Sequence, residues 1–214
     1  ASIAHEIRNP LAAISQASQL LMEEAKDSQS TLSEDNAVLY DMIYQQTIRV
    51  NKIIEDVLKL SRQQRPNLVL IEPKPWLQAF IAANFQGHDV FLRCDTDKGI
   101  MFDHYQLEQI LINLINNGLR FSSKTQSHAF VNIDVYESGK SIFIEVIDTG
   151  KGVLTENIPF LFNPFFTTDH QGTGLGLYLS QAFCQANHAN LEYVPSQGQT
   201  CFRIVCTSKT LPSI

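Results

Sequence analysis

The sequence predicts two domains, an all-α helical hairpin followed by an α+β sandwich. Three observations point there. Apolar residues recur at alternating steps of four and three through the first part of the chain, the period of a helical seam. From Val90 onward, short β-branched runs alternate with two apolar helical segments, the pattern of helices packed on one face of a mainly antiparallel sheet. Between the two regimes, Arg62 to Pro75 carries charged-polar clusters and three prolines, as a linker does. The boundaries expected are 1–64 for the hairpin, 65–75 for the linker and 76–214 for the second domain.

The first helix carries Ile3, Ile7, Pro10, Ile14, Ala17 and Leu21 on one seam. A polar stretch from Glu23 to Asn36 makes the turn, with Ser33 or Asp35 as its cap. The second helix repeats the seam with Leu39, Ile43, Gln46, Val50, Ile53, Val57 and Leu60. Two helices with one seam each cannot bury those seams alone, so the hairpin is expected to dimerise into a four-helix bundle, the alternative being that the seam packs against the rest of the same chain. In the second domain, Val90–Cys94 reads as a strand, and Asp103 caps an apolar helix from His104 to about Arg120. Phe130–Tyr136 and Ser141–Asp148 form a hairpin about a Ser-Gly turn. Gly152–Gly172 lacks periodicity. A helix over Leu175–Ala186 and strands over Asn190–Val194 and Cys201–Thr207 complete the set.

Composition narrows the function. The net charge of -6 argues against a duplex-binding face, and no nucleic-acid partner is expected. No apolar run approaches the ~18 residues of a membrane span, so this stretch is expected to make no membrane contact. The chain opens on an alanine already inside a helical pattern, so it is expected to be a fragment, which leaves membrane or sensory segments upstream open. Cys94, Cys184, Cys201 and Cys206 lack metal-ligand spacing and lie among apolar neighbours, as reduced, buried thiols do.

Two regions carry chemistry. In Ala4-His-Glu-Ile-Arg-Asn-Pro-Leu11, His5 falls opposite Ile3 and Ile7 and should face solvent, with Glu6 beside it. Pro10 removes a helix bond and presses on the carbonyl of Glu6, a weak point at which the helix could bend. Far along the chain, Asn113, Asn117 and Arg120 share one face of an apolar helix at i, i+4 and i+7. Amides there are costly unless partnered. An asparagine oxygen is a hard ligand suited to Mg²⁺, and Arg120 suits phosphate. Asp148-Thr-Gly-Lys-Gly152 ends a strand with an acid that can accept from an exocyclic amine. Gly172-Thr-Gly-Leu-Gly176 opens a helix, where backbone amides favour phosphate. Leu161 to Thr168 between them is rich in aromatics, consistent with a lid over nucleotide.

These segments, in this order and over almost the whole chain, resemble the catalytic core of bacterial sensor histidine kinases. Ala4–Leu11 is similar to the H-box, Asn113–Phe121 to the N-box, Asp148–Gly152 to the G1 box, Phe162–Thr168 to the F-box and Gly172–Leu177 to the G2 box. The second domain would then be an ATP-binding domain of the histidine kinase, gyrase, Hsp90 and MutL type. The resemblance makes His5 the phosphoacceptor, Glu6 the residue that orients it or takes its proton, and Asn9 the positioner of water in the reverse, phosphatase reaction. Asn117 would bind Mg²⁺, with Asn113, Arg120 and Phe121 near the phosphates and Asp148 reading adenine. Gly150, Gly152, Gly172, Gly174 and Gly176 would shape the pocket and lid together with Phe165 and Leu177, and Thr200 would floor it.

The resemblance further implies ATP and Mg²⁺ as cofactors, a homodimer, and a response regulator receiver domain as the aspartyl partner. His-Glu-Ile-Arg-Asn-Pro-Leu and Gly174-Leu-Gly-Leu-Tyr-Leu-Ser180 look most like the sensor kinases paired with NtrC-type activators, some of which control type IV pilus genes. It also implies the cytoplasmic portion of an inner-membrane protein. Three positions depart from the common pattern: Gly118 replaces alanine, Phe121 replaces tyrosine, and Asp169 stands where lysine is frequent. Two other readings compete. An ATP hydrolase of the gyrase type needs a glutamate where this chain has Asn113. A non-catalytic nucleotide-binding scaffold would have no use for His5 and Glu6.

Overall fold

The computed structural model describes residues 3–24, 34–61, 65–123, 129–169, 172–196 and 199–209; for residues 3–6, 22–24, 34–37, 59–61 and 196 it describes the backbone alone. Two compact units result, Ala1–Gln63 with Asn163–Gly176, and Gln64–Phe162 with Leu177–Ile214.

The first unit is built on α1 (Ile3–Glu24) and α2 (Glu34–Ser61), which pack along each other. The seam expected from spacing is the side that loses water. Pro10, Ala17 and Ile53 are buried, and Ile7, Ile14, Leu21, Leu39, Ile43, Gln46, Val50 and Val57 are half-buried. Beside that seam, Leu11, Leu20, Val38, Tyr40, Tyr44, Ile48, Ile54 and Leu58 stay exposed. Of the two caps expected for α2, Ser33 lies outside the described residues. Asp35 lies within α2 and so is not the cap.

The second unit is a seven-stranded sheet with helices against it. Its strands are β1 (Val69–Ile71), β2 (Val90–Asp95), β3 (Gly99–Phe102), β4 (Val131–Ser138), β5 (Ser141–Asp148), β6 (Asn190–Ser196) and β7 (Gln199–Lys209). Its helices are α3 (Pro73–Asn84), α4 (His104–Ser123) and, from Leu177 onward, α5 (Gly176–Ala186). The order is β1-β3-β7-β5-β4-β2, with β6 also on β7. β2 and β4 run parallel; the other pairs are antiparallel.

Period-two alternation places Val131, Ile133 and Val135 of β4 and Ile142, Ile144 and Val146 of β5 in the core. From α4 come Leu107, Ile110, Leu111, Leu114 and Ile115, all buried. Each such side chain contributes about 1.5–3 kcal/mol relative to exposure. The expected cap is present: Asp103 Oδ1 accepts from the Gln106 N–H at 3.0 Å.

Spacing alone did not reveal α3, β1, β3 or the short 3₁₀ segment Thr155–Phe160. β1 falls inside the stretch that reads as linker, and α3 begins there. Pro73 at the first turn of α3 is a helix-starting residue as well as a breaker, so the prolines that suggested a linker also open a helix. That helix is held by Trp76, which stacks on Phe80 at 5.4 Å and donates from Nε1 to His104 Nδ1 at 2.6 Å. The thiols of Cys184, Cys201 and Cys206 are buried and free, and burial pushes Cys201 and Cys206 up to about 12.

Candidate nucleotide site and phosphoacceptor helix

The site in the second unit begins where α4 crosses the ends of β4 and β5. Asn113, Asn117 and Arg120 are half-buried along one side of α4, while Leu114, Ile115 and Gly118 are buried. Gly118 is the pivot of this arrangement. A Cβ there would lie 2.9 Å from Val131 Cγ2 and 3.0 Å from Asp148 Cβ, so the helix can sit this close to the strands only without a side chain. The departure from alanine noted in the sequence is therefore a packing requirement.

Asp148 ends β5 and is 5% exposed. Its Oδ1 accepts from the Gly150 N–H at 2.7 Å. The hydroxyls of Thr200, its register partner on β7, and Ser122 also bond its carboxylate. Burial pushes the carboxyl above the usual aspartate range, and the three bonds pull partly back. Ser122 also accepts from the Thr149 N–H at 3.1 Å, tying the last turn of α4 to the turn after β5. Gly152 lies beyond that turn, where the Val153 N–H donates to Tyr193 Oη at 3.2 Å. Arg120 lays its guanidinium over the Phe121 ring, 5.1 Å from the centroid.

Asn113 makes a contact across helices: its Nδ2 donates to Ser180 Oγ on α5 at 3.0 Å. Neither Ser122 nor Ser180 stood out in the sequence. The available signal was weak, a serine ending one apolar helix and another one turn after Gly176.

The aromatic and glycine-rich segment 163–176 groups with the helical hairpin. Within it Phe165 has φ 67 and donates its N–H to Gly174 O at 2.9 Å. Gly174 has φ 69, and a Cβ on it would meet Phe165 C at 2.4 Å. Thr167 Oγ1 donates to Asp169 O at 3.1 Å, and Gly172 N–H donates to the same carbonyl at 3.0 Å. Thr173 Oγ1 donates to Asp56 Oδ2 of α2 at 3.0 Å, and both residues are buried. Gly176 then opens α5, with Leu177 half-buried in its first turn.

His5 and Glu6 lie in α1, but their side chains, and with them the expected solvent-facing histidine, are outside the described residues. Asn9 is exposed and Pro10 is buried inside an unbroken α1. Among the described residues, no helix is long and apolar enough to cross a membrane.

Known proteins match both units. The His Kinase A (phospho-acceptor) domain matches residues 1–66. The histidine kinase-, DNA gyrase B- and HSP90-like ATPase family matches residues 102–210. The sensor protein kinase PilS of Pseudomonas aeruginosa is 40% identical over 213 residues, 95% of this chain and 39% of PilS. Sporulation kinase A of Bacillus subtilis is 29% identical over 95% of this chain and 33% of its own length. The chain thus spans well under half of these curated relatives. The Acinetobacter baumannii histidine kinase AdeS superposes with a TM-score of 0.70 at 25% identity, covering 98% of this chain and all of that one. The histidine kinase ThkA, solved in complex with the response regulator protein TrrA, superposes at 0.72 and 19% identity, over 97% of this chain and 60% of that one, a likeness of fold. A phospho-acceptor helical region followed by an ATP-binding α/β domain, matched in order and over nearly the full length, makes this chain a member of the sensor histidine kinase family.

Proposed function

We propose that the chain is the catalytic core of a two-component sensor kinase that phosphorylates His5 from ATP and passes the phosphoryl group to an aspartate of a response regulator. Phosphoryl transfer depends chiefly on positioning and charge neutralisation. The observation that carries the reading is the pairing at the α4–β5 junction: a desolvated Asp148 held by three hydrogen-bond donors, beneath a helix bearing half-buried amides.

Asp148 accepts the adenine amino group, on a carboxylate whose orientation Gly150, Thr200 and Ser122 fix. Asn117 is the Mg²⁺ ligand, with Asn113 and Arg120 toward the phosphates; an amide oxygen on a half-buried face is a donor this hard cation accepts. Bound magnesium would supply charge neutralisation across the phosphate oxygens. Phe121, Gly152, Phe165, Gly172, Gly174, Gly176, Leu177 and Thr200 complete the pocket and lid. In α1, one imidazole nitrogen of His5 attacks the γ-phosphorus in line, the bond to the ADP oxygen breaks, and Glu6 takes up the proton of the other nitrogen. Asn9 positions water in the reverse, phosphatase reaction.

The exposed apolar flank of α1 and α2 supports a homodimer through the hairpin. The partner is a response regulator receiver domain, of an NtrC-type activator by the resemblance of the runs His5–Leu11 and Gly174–Ser180; the likeness to a sensor protein kinase supports the cytoplasmic portion of an inner-membrane sensor as the setting. The test is labelling with γ-labelled ATP. Acid-labile, base-stable phosphoprotein is expected, lost in His5→Gln and in Asn117→Ala. Steady phosphate release without phosphoprotein would favour an ATP hydrolase. Nucleotide affinity indifferent to Mg²⁺, with no label, would favour a scaffold.

A further inference from the structure

We infer, granting that the α4 amides face nucleotide, that Ser180 is a positioning residue that sets the Asn113 side chain and couples it to the helix following the lid glycines. Ser180 is 2% exposed, flanked on α5 by buried Leu179, Phe183 and Cys184. A hydroxyl in such surroundings is costly unless bonded. Its partner is Asn113 Nδ2 at 3.0 Å, on a helix 67 residues earlier in the chain.

The consequence lies in what an amide can offer. Asn113 has two N–H donors and one carbonyl acceptor, and its terminal torsion is soft. Unpartnered, it would present donor and acceptor to the site in turn. With one Nδ2 hydrogen committed to Ser180, the amide is held against flipping, and Oδ1 and the second N–H remain for other partners. A held amide offers the site one fixed arrangement, in which Oδ1 can accept from water bound to the magnesium ion that accompanies the phosphates. Ser180 also lies one turn after Gly176, where the lid glycines pass into α5.

The test is calorimetric binding of a non-hydrolysable ATP analogue to this chain, with and without Mg²⁺. The proteins compared are wild type, Ser180→Ala, Ser180→Thr, Asn113→Ala and the Ser180→Ala/Asn113→Ala double variant. Loss of one such bond predicts about three- to tenfold weaker Mg²⁺-dependent affinity for Ser180→Ala. Mg²⁺-free affinity should hold, Ser180→Thr should restore binding, and the double variant should bind no worse than Asn113→Ala. A merely structural bridge would lower the melting temperature while moving both affinities together, and would overturn the inference. So would additive losses in the double variant. If Asn113→Ala itself leaves affinity intact, the placement of Asn113 beside the nucleotide fails with it. If Asn113→Ala weakens binding and Ser180→Ala does not, only the role of Ser180 falls.

Discussion

The two units of this chain handle apolar surface in opposite ways. In the α/β unit the strands β4 and β5 and the helix α4 close on one another, and the buried Ser122, Thr149 and Thr200 gather around Asp148. In the helical unit only Pro10, Ala17, Ile53 and Asp56 are buried among the described residues of the two helices, while Tyr40, Tyr44, Ile48, Ile54 and Leu58 stay in water. The α/β unit satisfies its own core. The hairpin leaves an exposed apolar flank, the surface through which the proposed homodimer would form. That difference fits the function proposed above, in which the α/β unit binds nucleotide and the helical unit offers His5 and its exposed faces.

The sharpest way to break the comparison is His5→Gln. Phosphoprotein formation should fall to background while analogue binding by the α/β unit stays at the wild-type level. Retained labelling would move the nucleophile elsewhere. Gly174→Ala should come next. Its φ of 69 and the 2.4 Å approach to Phe165 forbid a side chain, and analogue affinity should drop roughly ten- to a hundredfold. Unchanged affinity would show that the lid's native geometry is not needed for binding.

Ile54→Glu tests the helical unit alone. Placing a charge on this exposed isoleucine should weaken self-association through the proposed interface by about ten- to a hundredfold, read by sedimentation, with the α/β unit melting as before. Gly118→Ala sharpens the other side. Alanine is the better helix former by up to about 1 kcal/mol. The contacts with Val131 and Asp148 should nonetheless make the variant less stable, by about 1–3 kcal/mol in denaturant unfolding.

The smallest effect concerns pH. Burial raises the carboxyl of Asp148 in the folded chain, so the folded state holds its proton to higher pH than the unfolded state. Its contribution favours folding below the ordinary aspartate range and diminishes as pH rises through the raised value. Asp148→Asn should therefore flatten the stability profile in that window and leave the neutral protein slightly more stable, while weakening nucleotide binding. A profile identical to wild type would mean the carboxyl is not displaced.

Long, regular elements were legible because their signals are local. The seams of α1 and α2, the cap at Asp103 and the alternation of β4 and β5 each lie within a few residues. Short elements were not. β1 has three residues, and its antiparallel partner is β3, whose assignment needs pairing across some thirty residues of chain. The candidate site was legible as motifs, in His5, Asn117, Asp148 and the glycines, but its supports were not. Ser122, Ser180 and Asp56 are ordinary polar residues in helices until the fold brings Asp148, Asn113 and Thr173 to them.

The sequence alone determined the family, the order of the two regions and the identities of the chemical groups, because motif spacing and hydrophobic period are properties of neighbouring residues. Tertiary structure decided why glycine packs better than alanine at position 118, which partners hold Asp148 and Asn113, and that segment 163–176 packs with α2. Those depend on which atoms meet across long stretches of chain, and close contact at 3 Å leaves no trace in the period of a sequence.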